Sequence, residues 1–176
     1  MAVASMKESS ILQGVARKGG FNASVTIIAT DSTWDVPSLG SPIVKVTAIG
    51  GGGGGGANAT NNGATGGTTT FDAGAAGTVT AAGGVGGFHA TTSTDGRAGA
   101  LGFASSNGGG PAFVAGATPR TATAGIGGLI VVTYLDLTGI TEVNATIGAG
   151  GAGGLSGFDG GDGGRGEVIV EYVAGA

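Results

Sequence analysis

The residues of this chain whose types and spacing could do chemistry are few, and each lacks a partner that the chemistry needs. Gly148, Gly150 and Gly153 form a GxGxxG pattern after a run that reads as a strand. In a dinucleotide site such glycines bring pyrophosphate to the N-terminus of a following helix. Here the pattern is followed by LSGFDGGDGGRG, whose glycine content opposes a helix, and no Walker A lysine pattern occurs, so no cofactor is expected. Asp159 and Asp162, with Asp95 elsewhere, supply carboxylates, but their spacing matches neither an EF-hand nor a nonapeptide calcium repeat. They read as solvated turn residues, and no metal is expected. His89 is the single histidine. A catalytic base needs a nucleophile to activate and a third group to orient it; neither is identifiable, so no catalytic residue is assigned and the chain is not expected to be an enzyme. The absence of cysteine removes disulfides, thiolate metal sites and a Cys nucleophile.

Recognition chemistry is better represented. Phe71, Phe88 with its neighbour His89, Phe103 and Phe113 are isolated aromatics and an imidazole within Gly-rich stretches. Lifted on loops of small residues, such side chains are candidate receptor contacts. The alternative is that they plug gaps between packed segments. Trp34, flanked by strand-like residues and Pro37, reads as a core residue rather than a sugar-stacking platform.

The elements that must carry these residues are unusual. Glycine supplies 43 of 176 residues and charged residues 10%, so a conventional core can only be small. From Gly148 to Gly166 glycine recurs at every third position: Gly148, Gly151, Gly154, Gly157, Gly160, Gly163 and Gly166. A linker has no reason to keep that register. A polyproline II-type helix does, because it has three residues per turn and no internal hydrogen bonds. Glycine on one edge lets neighbouring backbones approach and pair their N–H and C=O groups. Collagen shares the period but is rich in proline, and residues 148–166 contain none. A bundle of polyglycine II helices therefore suits the sequence better. If straight, the run would span roughly 60 Å.

Strand signals bracket the glycine segments. SVTIIAT, PIVKVTAI (with Val44, Val46 and Ala48 on one face), GLIVVTYLDL, EVNATI and EVIVEYV are apolar, β-branched or alternating. The expected fold is all-β: a small antiparallel platform or sandwich with Gly-rich, partly polyglycine II-like segments and no substantial helix beyond a short N-terminal one. Residues 1–20 differ in composition and read as an N-terminal arm, a candidate docking segment. Residues 21–176 form the glycine-rich β domain, with excursions at 50–128 and 148–166. The 57–128 stretch also admits a low-complexity, unfolded reading. Net charge is −4 and the seven basic residues are scattered, which argues against nucleic acid as a partner. No signal-peptide h-region or membrane-length apolar run is seen.

The ordered set Trp34-Asp35-Val36-Pro37, the alternating Val44-Lys45-Val46-Thr47, the run Gly50–Gly56, ATIGAGGAGG at 145–154 and the terminal VIVEY at 168–172 resembles the glycine-rich domain of bacteriophage tail-fibre and adhesin-type virion proteins. The resemblance spans about residues 25–173. It implies a non-enzymatic virion component, made in the host cytoplasm, that contacts a bacterial surface receptor (protein or glycan) and other virion proteins. It further implies a homo-oligomer, expected to be a trimer, without membrane insertion. A purely structural decoration or minor tail protein, and an ice-binding protein with a flat Ala/Thr face, are the other readings.

Overall fold

A computed structural model describes residues 22–57, 61–89, 125–155 and 159–175. The N-terminal arm, Gly157, Phe103 and Phe113 lie outside the described residues.

Eight strands form two four-stranded antiparallel sheets. They are β1 (Asn22–Ile28), β2 (Ser32–Asp35), β3 (Ile43–Ile49), β4 (Thr69–Asp72), β5 (Thr78–Ala81), β6 (Ile130–Asp136), β7 (Glu142–Thr146) and β8 (Glu167–Ala174). One sheet has the order β1-β8-β3-β6 and the other β2-β7-β4-β5. Period-two alternation decides which side chains lie between the sheets. Val44, Val46 and Ala48 of β3 and Val168 and Val170 of β8 are buried from one side. Phe71, Val79, Ala81, Val143 and Ala145 meet them from the other. Trp34 lies with its ring centroid 6.0 Å from Phe71 and 5.8 Å from Tyr172, so it belongs to this core, as its strand context predicts.

The all-β expectation holds, with two refinements. The 57–128 stretch contains two strands, β4 and β5, joined by a turn at 73–77. Phe71 lies on β4, fully buried at 0% exposure. Its assignment as a receptor contact is therefore corrected: the ring faces the opposite sheet, because Thr69 and Phe71 are the inward positions of a short strand.

The strands at one end of the sandwich run straight into glycine segments. Segments I (50–56), III (82–88) and V (147–155) leave β3, β5 and β7; segments II (61–68), IV (125–129) and VI (159–166) lead into β4, β6 and β8. Chain termini of the described domain sit at the opposite end, where Asn22 pairs with Ala174.

That opposite end also carries the turn from β6 to β7. Asp136 accepts hydrogen bonds from the Thr138 hydroxyl at 2.6 Å and the Thr138 N–H at 3.0 Å, and Gly139 supplies the positive φ of 74° that the turn requires. The Thr138 hydroxyl, then its N–H, hold the Asp136 carboxyl below its usual pKa. A depressed carboxylate stabilises the folded form above its unfolded pKa and loses that effect as pH falls through the folded value. Amide protection of residues 137–141 is thus expected to fall below about pH 4, and Asp136→Asn is expected to remove that acid dependence in hydrogen-exchange measurements.

Candidate functional site: a glycine bundle and its distal tip

Segment I is the axis of the bundle. Its N–H groups point in turn to three neighbours: Gly51 and Gly54 donate to Gly67 and Ala64 of segment II, Gly52 and Gly55 to Gly164 and Gly161 of segment VI, and Gly53 to Ile126 of segment IV, all at 2.7–2.9 Å. Its carbonyls alternate in the same manner. Gly51 and Gly54 accept from Gly84 and Gly87 of segment III, and Gly52 and Gly55 accept from Gly151 and Gly154 of segment V. A repeat of three residues in both donors and acceptors is the signature of a three-fold extended helix whose hydrogen bonds all run to other helices.

The outer segments are bonded to each other as well. Going round the axis, IV bonds to III (Ile126 N–H to Val85), III to II (Gly66 N–H to Gly84), II to V (Ala64 N–H to Ala152) and V to VI (Gly163 N–H to Gly151). Positions facing another segment are glycine because a Cβ there would collide with a neighbouring carbonyl. At Gly53 it would strike Val85, at Gly54 Ala152, at Gly63 Gly54 and at Gly163 Gly52. Positions facing outward keep side chains: Ala82, Val85 and Phe88 on segment III, and Ala149, Ala152 and Leu155 on segment V, are exposed at intervals of three.

The glycine register of 148–166 thus packs backbone on backbone, as its spacing predicts, with Gly148, Gly151 and Gly154 on segment V and Gly160, Gly163 and Gly166 on segment VI. It is not one straight rod, however. The chain reverses after Leu155, and the two halves lie antiparallel, with Gly160 N–H bonded to Gly154 and Gly166 N–H to Gly148. Asp162 takes part in the pairing, its carboxylate accepting from Gly153 N–H at 2.8 Å. At the base, buried Thr69 accepts from Gly148 N–H at 2.9 Å, coupling sheet to bundle.

Side by side, these extended segments reach roughly 20 Å beyond the sheets at about seven residues each. This distal tip holds the candidate site. Phe88, at the end of segment III, is 56% exposed. Next to it, His89 is anchored: its N–H and Nδ1 lie 2.9 and 2.7 Å from Asn62 Oδ1 on segment II. Asn61 donates from Nδ2 to the Leu155 carbonyl on segment V, and Leu155 is 68% exposed. Segment II lies between III and V, so the tip presents Phe88, then His89 and Asn62, then Asn61, then Leu155. Of the sequence-derived candidates, the structure brings Phe88 and His89 together here and removes Phe71 to the core. Asn61, Asn62 and Leu155 were not singled out; their signal is their place at chain reversals, where side chains no longer have to yield to backbone. An apolar ring, an apolar branch and an intervening row of amide and imidazole groups are the kinds of group that contact a sugar or peptide surface.

Comparison with family models, with curated proteins and with solved structures finds no match.

Proposed function

We propose that this protein is a non-enzymatic bacteriophage virion fibre or adhesin component that recognises the host surface through the distal tip. The reading carries over the sequence resemblance to phage glycine-rich domains. The observation that supports it best is the architecture: six extended helices held rigid by interchain-like backbone bonds, raising Phe88, His89, Asn61, Asn62 and Leu155 away from a sandwich whose termini lie at the other end. Attachment at the sandwich and presentation at the tip are then spatially separated. Ordering the tip on a rigid bundle before contact lowers the entropy cost of binding.

The test is adsorption competition with purified protein, alongside immuno-electron microscopy of virions. The wild-type protein is expected to block adsorption. Phe88→Ala is expected to need at least about thirtyfold more protein, the effect of losing a central aromatic contact, with thermal stability unchanged. Failure of the wild-type protein to block adsorption, while it is still found on the particle, would favour a structural virion role; its absence from mature particles would remove both readings.

A further inference from the structure

The two sheets carry opposite outer faces. On the β2-β7-β4-β5 sheet the outward residues run Thr33, Asn144, Asp72 and Thr78 in one row across the strands and Thr146, Thr70 and Thr80 in the next. All are polar, the pattern of an antiparallel sheet that meets water. On the β1-β8-β3-β6 sheet the corresponding rows are Ile27, Ile169, Thr47 and Val132, and Val25, Glu171, Lys45 and Tyr134. Val25, Ile27, Val132 and Tyr134 are 54–67% exposed, and Ile43, farther along β3, is 47% exposed. Together these side chains expose roughly 500 Å² of apolar surface, in the range that marks an interaction site. Two such faces pressed together would remove about 1,000 Å² from water, the area a biological interface needs.

The charges select the occupant. At the centre of the face, Lys45 Nζ lies 2.5 Å from Glu171 Oε2. One positive and one negative group side by side favour neither a basic nor an acidic partner; they complement the same pair turned round. The row reads alike from either edge: apolar on β1, charged on β8, charged on β3, apolar on β6. Complementarity to its own copy is what a twofold contact requires of a surface. Two kinds of twofold axis can lie in the plane of contact. An axis across the strands sets β8 on β8 and β3 on β3, and so like charge on like. An axis along the strands, between β8 and β3, sets each Glu171 on the Lys45 of the other copy, Ile27 on Val132 and Val25 on Tyr134. The second leaves no like charges facing and keeps apolar groups together.

We infer that this sheet face is the interface of a homodimer, two copies packed face to face about a twofold axis along the strands. Sheets packed in this way lie about 10 Å apart, within reach of a Lys and a Glu side chain extended toward each other. The axis preserves strand direction, so both glycine bundles leave the same end and both distal tips point the same way. A surface that holds one tip then meets the second at high local concentration. The resemblance to fibre domains implies three copies. A closed ring of three needs two different surfaces on each chain, whereas this face matches itself. Pairing of the sheets requires no ligand at the tip, so loss of the dimer and loss of adsorption are separate outcomes.

Sedimentation equilibrium of the full chain is the experiment, with Val132→Glu, Lys45→Glu, Glu171→Lys and the double reversal Lys45→Glu/Glu171→Lys. The wild type is expected to be a dimer at micromolar concentration. Val132→Glu and each single reversal are expected to weaken association at least about thirtyfold, and the double reversal to restore it to within about threefold. A wild-type monomer at every concentration overturns the proposal and leaves the face to another occupant. A trimer overturns it too, as does a dimer that Val132→Glu leaves intact. A double reversal no better than the single ones overturns the pairing of β3 with β8 across the axis. The chain has no cysteine, so a spin label on Leu155→Cys reads the direction of the tips. A separation under about 50 Å between labels is expected, and a longer one, which tips at opposite ends would give, overturns the shared direction. Should a variant not fold, the wild-type mass and the label distance decide.

Discussion

Gly54→Ala is expected to unfold the glycine bundle, although alanine adds a single methyl group and the position has no positive φ. Gly54 donates to Ala64 and accepts from Gly87, and a new Cβ would occupy the space of the Ala152 carbonyl. The obstacle is backbone, which cannot rotate aside as a side chain can. Overpacking an interior costs roughly 1–3 kcal/mol. Separating segments I and V also weakens the bonds from Gly151 and Gly154, at about 0.5–1.5 kcal/mol each. The sum is of order 2–6 kcal/mol, a large part of the roughly 5–15 kcal/mol that holds a typical domain together. Gly74→Ala is the matched control. Its φ of 57° is strained for alanine, but nothing lies within 4 Å of the added atom, so it should cost only about 1–2 kcal/mol. Chemical denaturation of the two variants checks the ordering. Equal losses would mean that the segments are held by something other than close backbone contact.

This contrast also explains what the sequence discloses. Glycines that pack and glycines that turn are the same letter, and only the register tells them apart. The three-residue spacing of Gly148–Gly166 and the pairing of Gly-Gly with one larger residue in segment III are legible because each outward position carries a side chain. The seven glycines of segment I carry no register at all. Their central position follows from five neighbours, four of which (III to VI) are remote in sequence. The reversal at Leu155 is hidden for the opposite reason: the spacing continues through Gly157, so the pattern of a straight rod and of a hairpin is identical. Strands β3, β6 and β8 were visible because seven or eight residues allow alternation to show. Strands β4 and β5 have four residues each and are flanked by glycine and alanine, so TTFD and TVTA look like the loops around them. The tip residues Asn61, Asn62 and Leu155 have no motif; the bond from Asn61 to the Leu155 carbonyl and those between Asn62 and His89 mark them as one surface.

Phe71 and Phe88 have similar sequence surroundings, each a lone aromatic among small residues, and the structure gives them opposite consequences. Phe71 is at 0% exposure between Trp34 and the valines of the facing sheet. Phe71→Ala removes the largest fully buried side chain of the sandwich and should cost about 3–5 kcal/mol, shifting the unfolding midpoint down by roughly 10 °C. Relaxation cannot easily fill the space, because β4 is fixed on both sides by its ladders with β5 and β7. The loss should extend to the glycine bundle, since Thr69, two residues earlier, accepts the Gly148 N–H that joins sheet to segment V. Phe88→Ala removes an exposed ring from the far end of segment III and should change stability by less than about 0.5 kcal/mol, while its effect falls on adsorption. Scanning calorimetry separates the pair directly. If Phe71→Ala were neutral, the sandwich would not be the foundation of the bundle, and six polyglycine helices would have to stand on hydrogen bonds among themselves.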